Sequence, residues 1–207
     1  MTILNQVDAN KKIKIDYQSA KRRKLDLDDE PRPANLLFEE IPNAISYVQE
    51  SEDFVDFYLP QRTILKRISQ TGPGIATGDL TGDGIPEILF GGTPEQSAEV
   101  WSISDSNQFQ KIAIEGLTEL TESYDHQLEI IDIDNDGDLD VLTGAGAYSP
   151  YEPEIFQHKL YRNTPGNFLQ EHLPIGSFPV SVLATHDFDR DGDVDVFVGA
   201  RDQNNQY

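Results

Sequence analysis

DIDNDGDLD at residues 132–140 recurs in closely related form as DLTGDGIPE at 79–87 and as DFDRDGDVD at 187–195. In chain order we name these stretches loop 1 (79–87), loop 2 (132–140) and loop 3 (187–195). Each loop places an oxygen-bearing side chain at positions 1, 3, 5 and 9 and a glycine at position 6. The loops begin 53 and 55 residues apart. Such a nearly constant long spacing is typical of a protein built from structural repeats.

The oxygen-bearing side chains suit a hard cation, since Ca²⁺ takes roughly six to eight oxygen ligands in flexible geometry. We predict ligands at the side chains of positions 1, 3, 5 and 9 and at the backbone carbonyl of position 7. The candidates are Asp79, Thr81, Asp83, Ile85 and Glu87 in loop 1, Asp132, Asp134, Asp136, Asp138 and Asp140 in loop 2, and Asp187, Asp189, Asp191, Asp193 and Asp195 in loop 3. The sequence therefore predicts about three Ca²⁺ sites.

An EF-hand is the main alternative for an acidic loop of this kind, and the sequence excludes it. An EF-hand requires a bidentate glutamate at loop position 12 and a helix on each side. Position 12 is occupied here by Phe90, Thr143 and Val198, and the segments after the loops are short, apolar and ended by glycine. We therefore expect each loop to join two β-strands, with the position 6 glycine in the positive-φ conformation that a sharp bend requires.

Loop 1 departs from the pattern of the other two loops. Its position 3 is Thr81, where Asp134 and Asp189 stand in loops 2 and 3, and its position 9 is Glu87. Because the charge of the ligands influences Ca²⁺ affinity, we predict weaker binding at loop 1. The alternative for this loop is an ordinary Asp/Gly turn that is closed by side-chain hydrogen bonds.

The repeat extends beyond the acidic loops. A partly apolar segment precedes each loop and a second one follows it, and the first two repeats continue with a third and a fourth segment. The predicted first strands are 74–79, 127–132 and 181–187, and the predicted third and fourth strands are 98–104, 109–114, 158–163 and 168–173. Four antiparallel strands in about fifty residues are typical of a β-propeller blade. The alternative, a β-sandwich with acidic turns, does not explain the matching third and fourth strands.

These loops and glycine-ended strands resemble the FG-GAP/VCBS repeat, which occurs in integrin-type propellers and in many bacterial surface proteins. The stretch FVDFYLPQRTILKRISQTGPGIATGDLTGDGIPEILFGG at 54–92 is similar to the blade opening of bacterial VCBS proteins related to cartilage acidic protein. ILNQVDANKKIKIDY at 3–17 resembles the last strands of the ASPIC module that precedes such a propeller. The resemblance implies a Ca²⁺-binding propeller, usually of seven blades, on an exported protein.

The predicted organisation is a partial propeller with about three blades, in which the third repeat has two strands before Tyr207. Since a closed propeller has at least about four blades, we expect a piece of a longer protein or a ring completed by partner chains. Residues 1–35 are interpreted as the end of a preceding module plus a linker, because basic residues 21–24 are followed by acidic residues and prolines. The incomplete set of FG-GAP/VCBS blades then occupies 36–207.

Composition limits the possible partners. The chain of 207 residues has 16 Lys and Arg against 37 Asp and Glu, a net charge of −21. Residues 1–40 are neutral overall, so the negative charge lies in the remainder of the chain, and this sign argues against nucleic-acid binding. There is no cysteine. The sequence shows no transmembrane span and no secretory signal at its start, so we expect any export signal to lie upstream.

The sequence has no recognisable catalytic motif, and its four histidines lack metal-ligand spacing. We therefore expect no enzymatic activity and a structural role for Ca²⁺. Extracellular Ca²⁺ modules bind in the range of about 10⁻⁴–10⁻³ M, which favours an extracellular, cell-surface or periplasmic location. The prediction is a Ca²⁺-binding propeller module that mediates adhesion by binding a protein or a glycan. The alternative is the propeller portion of a polysaccharide-active enzyme whose catalytic site lies outside this segment.

One irregular stretch, AYSPYEPEIF at 147–156, has residues suited to ligand binding. Loops on a rigid scaffold often carry binding sites, and Tyr148 and Tyr151 could form a ligand surface together with Phe156. We therefore name Tyr148 and Tyr151 as candidate ligand-binding residues. The alternative is a solvated, proline-containing connection between strands.

Overall fold

The computed structural model describes residues 41, 44–50, 72–104, 108–120, 123–146, 156–164 and 167–200. The described residues from 44 onward belong to one compact unit, Pro42–Tyr207. The predictions for 1–35, including the resemblance of 3–17 to an ASPIC module, lie outside the described residues. None of the described residues forms a helix with the length and hydrophobicity that a membrane span requires.

Ten β-strands form three antiparallel sheets in the described part of the chain, which contains no helix. The strands are β1 (Ile75–Gly78), β2 (Glu87–Phe90), β3 (Glu99–Ile103), β4 (Phe109–Ile112), β5 (Asp125–Ile131), β6 (Asp140–Ala145), β7 (Lys159–Thr164), β8 (Asn167–His172), β9 (Val180–His186) and β10 (Asp195–Ala200). The first sheet has the order β1-β2-β3-β4, the second β5-β6-β7-β8, and the third pairs β9 with β10. The predicted all-β architecture of antiparallel sheets is confirmed and is consistent with propeller blades. The number of blades stays a prediction.

Each acidic loop joins the first two strands of a sheet, and the strand register brings its two ends together. The residue at position 9 pairs with the residue before position 1, in the pairs Gly78–Glu87, Ile131–Asp140 and His186–Asp195. Residues opposite each other in an antiparallel pair lie about 5 Å apart. The side chains at positions 1 and 9 therefore start from neighbouring points, although they stand at opposite ends of the loop sequence.

Neighbouring sheets share hydrophobic cores. One core joins the first and second sheets and contains Leu80, Leu89, Ala98, Val100, Leu117, Val141, Tyr161 and Phe168. A second core joins the second and third sheets and contains Leu142, Leu160, Val180 and Leu183. Strand β6 contributes to both cores, and all six of its residues are buried. The sheets thus pack in chain order, as repeats do when each buries its apolar face against the next.

Burial of the second strand depends on the sheet that packs against it. Leu89 of β2 and Leu142 of β6 are 1% and 0% exposed, and each lies in a core shared with the following sheet. Phe197 holds the same repeat position in β10 and is 56% exposed, and no further sheet follows β10 among the described residues. Within the described part of the chain, the repeats are therefore alike in sequence but differ in how far their second strand is covered.

Two backbone hydrogen bonds join the first sheet to the second near the glycines that follow β2. The N–H of Asp125 donates to the carbonyl of Gly92 at 2.9 Å, and the carbonyl of Asp125 accepts the N–H of Gly74 at 3.1 Å. A Cβ atom added at Gly91 would overlap the carbonyl oxygen of Asp125. The glycine that ends the second strand therefore also permits this close approach of two backbones.

Candidate metal-binding loops

The position 1 carboxylate organises each loop by accepting the backbone N–H groups of positions 5 and 6. The distances are 3.1 and 2.8 Å from Asp83 and Gly84 to Asp79, 3.1 and 3.0 Å from Asp136 and Gly137 to Asp132, and 3.1 and 3.2 Å from Asp191 and Gly192 to Asp187. The position 5 carboxylate in turn accepts the N–H of position 7 in every loop. These local bonds give the three loops the same conformation around the position 1 side chain.

Two residues of every loop adopt the left-handed backbone conformation. At position 6, φ is 86°, 99° and 98° for Gly84, Gly137 and Gly192, which confirms the prediction. At position 4, φ is 72°, 59° and 67° for Gly82, Asn135 and Arg190. Glycine and asparagine favour this conformation, but arginine rarely adopts it. Gly82 and Asn135 are therefore sequence signals for a left-handed conformation at position 4 that we did not use, whereas Arg190 is not such a signal.

The position 9 carboxylate ties the start of each loop to the second strand of the sheet. It accepts the N–H of position 2 at 2.8 Å from Leu80 to Glu87, 3.0 Å from Ile133 to Asp140 and 2.9 Å from Phe188 to Asp195. In loop 2 the other oxygen of Asp140 accepts the N–H of Asn163 on β7 at 2.7 Å. Burial raises the pKa of Asp140, although these two hydrogen bonds oppose the shift.

Loops 2 and 3 each bring three carboxylates together. The residues are Asp132, Asp134 and Asp136 in loop 2 and Asp187, Asp189 and Asp195 in loop 3. Within each set, one oxygen of every carboxylate lies within 4.8 Å of the others. Because Ca²⁺–oxygen distances are about 2.3–2.6 Å, two ligands of the same ion lie at most about 5 Å apart. Both clusters therefore have the spacing needed to hold a metal ion.

The chemistry of the two clusters also suits Ca²⁺. All the donors are carboxylate oxygens, which are the hard ligands that Ca²⁺ prefers. A carboxylate offers about four lone-pair positions, so the backbone N–H bonds leave capacity for a cation. Two of the three residues in each cluster are exposed, which allows water to supply further ligands.

The position 9 carboxylate belongs to the cluster in loop 3 but not in loop 2. Asp140 has both oxygens bonded to backbone N–H groups, and one of these groups is supplied by Asn163 of the third strand. In the described part of the chain Asp195 accepts one such bond, from Phe188. In loop 2 the third strand therefore occupies an oxygen of the position 9 carboxylate.

Loop 1 has no cluster of three carboxylates among the described residues. Glu87 is fully buried, and its carboxylate accepts the N–H of Leu80 at 2.8 Å and the hydroxyl of Thr81 at 3.4 Å. Asp79 accepts a third N–H group, from Gly82 at 2.8 Å. Loop 1 is thus closed by its own hydrogen bonds, as in the Asp/Gly turn that was the alternative for it. Weak Ca²⁺ binding at this loop stays a prediction.

Two residues of β7 contact loop 2 and were not identified from the sequence. Arg162 forms an ion pair with Asp134. The side-chain amide of Asn163 donates to the carbonyls of Leu80 at 3.4 Å and Leu139 at 3.2 Å, so it joins loop 1 to loop 2. Both residues reach the loops through the pairing of β6 with β7, and nothing in the loop sequences points to them.

The remaining predicted site residues either stay predicted ligands or lie outside the described residues. Ile85, Asp138 and Asp193 occupy position 7, and their backbone carbonyls stay predicted ligands. Tyr148 and Tyr151 lie outside the described residues. Phe156, which we grouped with them, is 1% exposed, so it belongs to the protein interior rather than to a binding surface.

Comparison with known proteins identifies a repeat at this site. Residues 79–143 match the sequence model of an FG-GAP-like repeat. The matched segment begins at loop 1, contains the whole of loop 2 and ends within β6. No curated protein shows significant similarity to the chain. An FG-GAP repeat is typical of β-propeller modules that are often involved in adhesion or binding.

Proposed function

We propose that this chain is a Ca²⁺-binding β-propeller module of an exported or cell-surface protein, where it binds a protein or a glycan. The observation that carries the proposal is the convergence of three carboxylates in each of loops 2 and 3. Loop 2 lies inside the segment that matches an FG-GAP-like repeat. The finer resemblance to bacterial VCBS/ASPIC proteins belongs to this proposal, as does the division into 1–35 and a propeller at 36–207.

The proposed role of Ca²⁺ is structural. In loop 2 the ion would be held by Asp132, Asp134 and Asp136, and in loop 3 by Asp187, Asp189 and Asp195. A bound Ca²⁺ supplies positive charge that offsets the repulsion among the five aspartates of each loop. The loop 3 ligands include Asp195 at the start of β10, so an ion held between them would fix the connection between β9 and β10. The loop 2 ligands lie in the first half of the loop, so an ion there would fix that half.

Charge and exposure support the proposed location and partner class. The net charge of −21 favours neutral or basic partners over nucleic acid. The exposed carboxylates of the loops suit the weak Ca²⁺ affinity of extracellular modules, where the ion is plentiful. Tyr148 and Tyr151 are the proposed ligand contacts. We also propose that the module has no catalytic activity of its own.

A binding screen with a parallel activity assay tests the partner class. The chain is applied to glycan and protein arrays in Ca²⁺ and in chelator, and hydrolysis of the retained glycans is measured separately. The proposal predicts Ca²⁺-dependent retention without turnover. Glycan cleavage that is lost when an acid outside the three loops is replaced would contradict it and support the polysaccharide-active alternative.

Ca²⁺ is expected to raise the melting temperature as its concentration increases. A ligand bound by the native state alone stabilises it by about 2.7 kcal/mol at a hundredfold excess over Kd. Asp136→Ala and Asp189→Ala should each reduce this response more than Thr81→Ala does, because each removes a charged ligand. Thermal melts in CaCl₂ and in chelator measure the effect. An undiminished Ca²⁺ response in both aspartate variants would contradict the ligand assignment.

A further inference from the structure

Arg162 places a positive charge directly on the carboxylate cluster of loop 2. Its guanidinium pairs with Oδ2 of Asp134, one of the three residues of that cluster. Its Nε lies 3.5 Å from Oε1 of Glu171 on the neighbouring strand β8. All three side chains are partly exposed, at 31% for Arg162, 34% for Asp134 and 54% for Glu171. The guanidinium therefore lies between two carboxylates and is open to solvent.

The first two repeats differ at this contact in a correlated way. Trp101 pairs with Ile88, and Tyr161 pairs with Val141, where Ile88 and Val141 are the residues directly after position 9 of their loops. Ser102 and Arg162 follow Trp101 and Tyr161, so they are equivalent residues of the third strand. The repeat with the neutral Thr81 at position 3 has the neutral serine, and the repeat with Asp134 has the arginine. The arginine thus accompanies the position 3 carboxylate.

Loop 3 provides the natural comparison. Its cluster contains Asp189 at position 3, equivalent to Asp134. Among the described residues no basic side chain forms an ion pair with Asp189. In the described part of the chain, loops 2 and 3 therefore carry aspartate at the same five positions but differ in whether a basic side chain pairs with the position 3 carboxylate.

We propose that Arg162 is an internal counter-ion that competes with Ca²⁺ for Asp134 and so lowers the affinity of loop 2. A guanidinium and a divalent cation repel each other when both lie against one carboxylate. Binding at loop 2 therefore moves the guanidinium away from Asp134 and leaves Glu171 as its partner. In the absence of metal, Arg162 neutralises part of the charge of the loop and keeps it in place. This inference rests on the proposed Ca²⁺ binding.

Calorimetric titration of the chain with CaCl₂ tests the competition. Asp189→Asn serves as the background, because it removes a charged ligand of loop 3 and keeps a side-chain oxygen. In this background Arg162→Gln should tighten Ca²⁺ binding at loop 2 by about tenfold, as one like charge is removed from a partly exposed site. Lys111→Gln is the matched control. It removes one positive charge from the ion pair with Glu99, outside the loops, and should leave the affinity unchanged.

Two further measurements separate competition from a general loss of structure. Arg162→Gln should lower the melting temperature in chelator but increase the gain that Ca²⁺ produces, a pair of opposite effects that mere misfolding does not give. Glu171→Gln should weaken Ca²⁺ binding at loop 2, because it removes the group that receives the displaced guanidinium.

The experiments distinguish failure of the competition from failure of the proposed Ca²⁺ binding. Unchanged or weaker binding at loop 2 in Arg162→Gln, with loop 3 still binding Ca²⁺ in the wild-type chain, overturns the competition alone. In that case Arg162 instead orients Asp134 for the metal. Absence of Ca²⁺ binding in the wild-type chain and in every variant overturns both the competition and the proposed function.

Discussion

Lys159→Met is expected to lower the free energy of unfolding by about 3–5 kcal/mol, because it leaves Asp125 as a buried charge without its partner. The Nζ of Lys159 lies 3.2 Å from Oδ1 of Asp125, and each side chain is 3% exposed. The hydroxyl of Ser123 donates to the same oxygen at 3.2 Å. A neutral hydroxyl does not replace the ammonium group, so the loss should be clear in chemical denaturation.

An exposed ion pair provides the control for this prediction. Lys111 and Glu99 lie 2.8 Å apart, with 51% and 12% of their side chains exposed. Lys111→Met should cost less than about 1 kcal/mol, as expected for a pair in contact with solvent. Adding Asp125→Leu to Lys159→Met should recover part of the stability, since an apolar pair can replace a buried ionic one. Equal losses for the two lysine variants would show that burial does not govern the Lys159 pair.

The Lys159→Met variant should also change how stability depends on pH. Burial raises the pKa of Asp125, and Lys159 opposes this shift. Without the lysine the pKa of the folded state should rise further, so the folded protein binds more protons than the unfolded chain above about pH 3.9. Stability then falls as the pH increases from that value through the raised pKa. The deficit of the variant relative to wild type should therefore be smaller in mildly acidic than in neutral denaturation experiments.

Gly91→Ala is the second substitution with a large expected effect. A Cβ atom at Gly91 would overlap the backbone carbonyl of Asp125, which cannot move aside as a flexible side chain can. The same carbonyl accepts the N–H of Gly74 at 3.1 Å, so a shift would also disturb a hydrogen bond between the first two sheets. We expect a loss at or above the upper end of the about 1–3 kcal/mol typical of overpacking, measured by denaturant unfolding.

Gly72→Ala is the matched control for the glycine prediction. A Cβ atom at Gly72 meets no atom within 4 Å. The substitution should change stability by less than about 0.5 kcal/mol. If Gly91→Ala is as well tolerated as Gly72→Ala, the first two sheets do not pack through this backbone contact.

The loops and strands could be predicted because their signals are local. The Asp and Gly positions of each nine-residue loop specify a turn, and the glycine-ended apolar segments specify the strands on both sides. The sequence predicts a start of β5 at residue 127, but the strand begins at Asp125, with an irregularity in its pairing between Asp125 and Gln127. Such a local change of register leaves no mark in the alternation of apolar and polar residues.

The contacts between distant parts of the chain could not be predicted. Lys159 and Asp125 are 34 residues apart and meet only because β5 and β7 lie on either side of β6. Nothing in the local sequence around Asp125 marks it as a buried, paired carboxylate. Arg162 reaches loop 2 by the same route, through the third strand. The oxygen ligands of the loops could therefore be predicted from the sequence, whereas the third-strand residues that contact them could not.

Which carboxylates converge also depends on contacts that the loop sequence does not reveal. All five aspartates of loops 2 and 3 are equivalent in sequence, but Asp140 is held by Asn163 and Asp195 is not. In loop 2 the position 9 carboxylate is therefore held by a neighbouring strand, a contact that depends on strand pairing and not on the loop sequence.

Calorimetric titration of the metal-free wild-type chain with CaCl₂ tests whether loops 2 and 3 bind Ca²⁺. We expect saturable binding at two sites, each lost separately in Asp134→Asn and Asp189→Asn, with any binding at loop 1 weaker. Melting in chelator should occur at a lower temperature than in Ca²⁺. Absence of saturable binding, together with the same melting temperature in CaCl₂ and in chelator, would show that these loops are not Ca²⁺ sites.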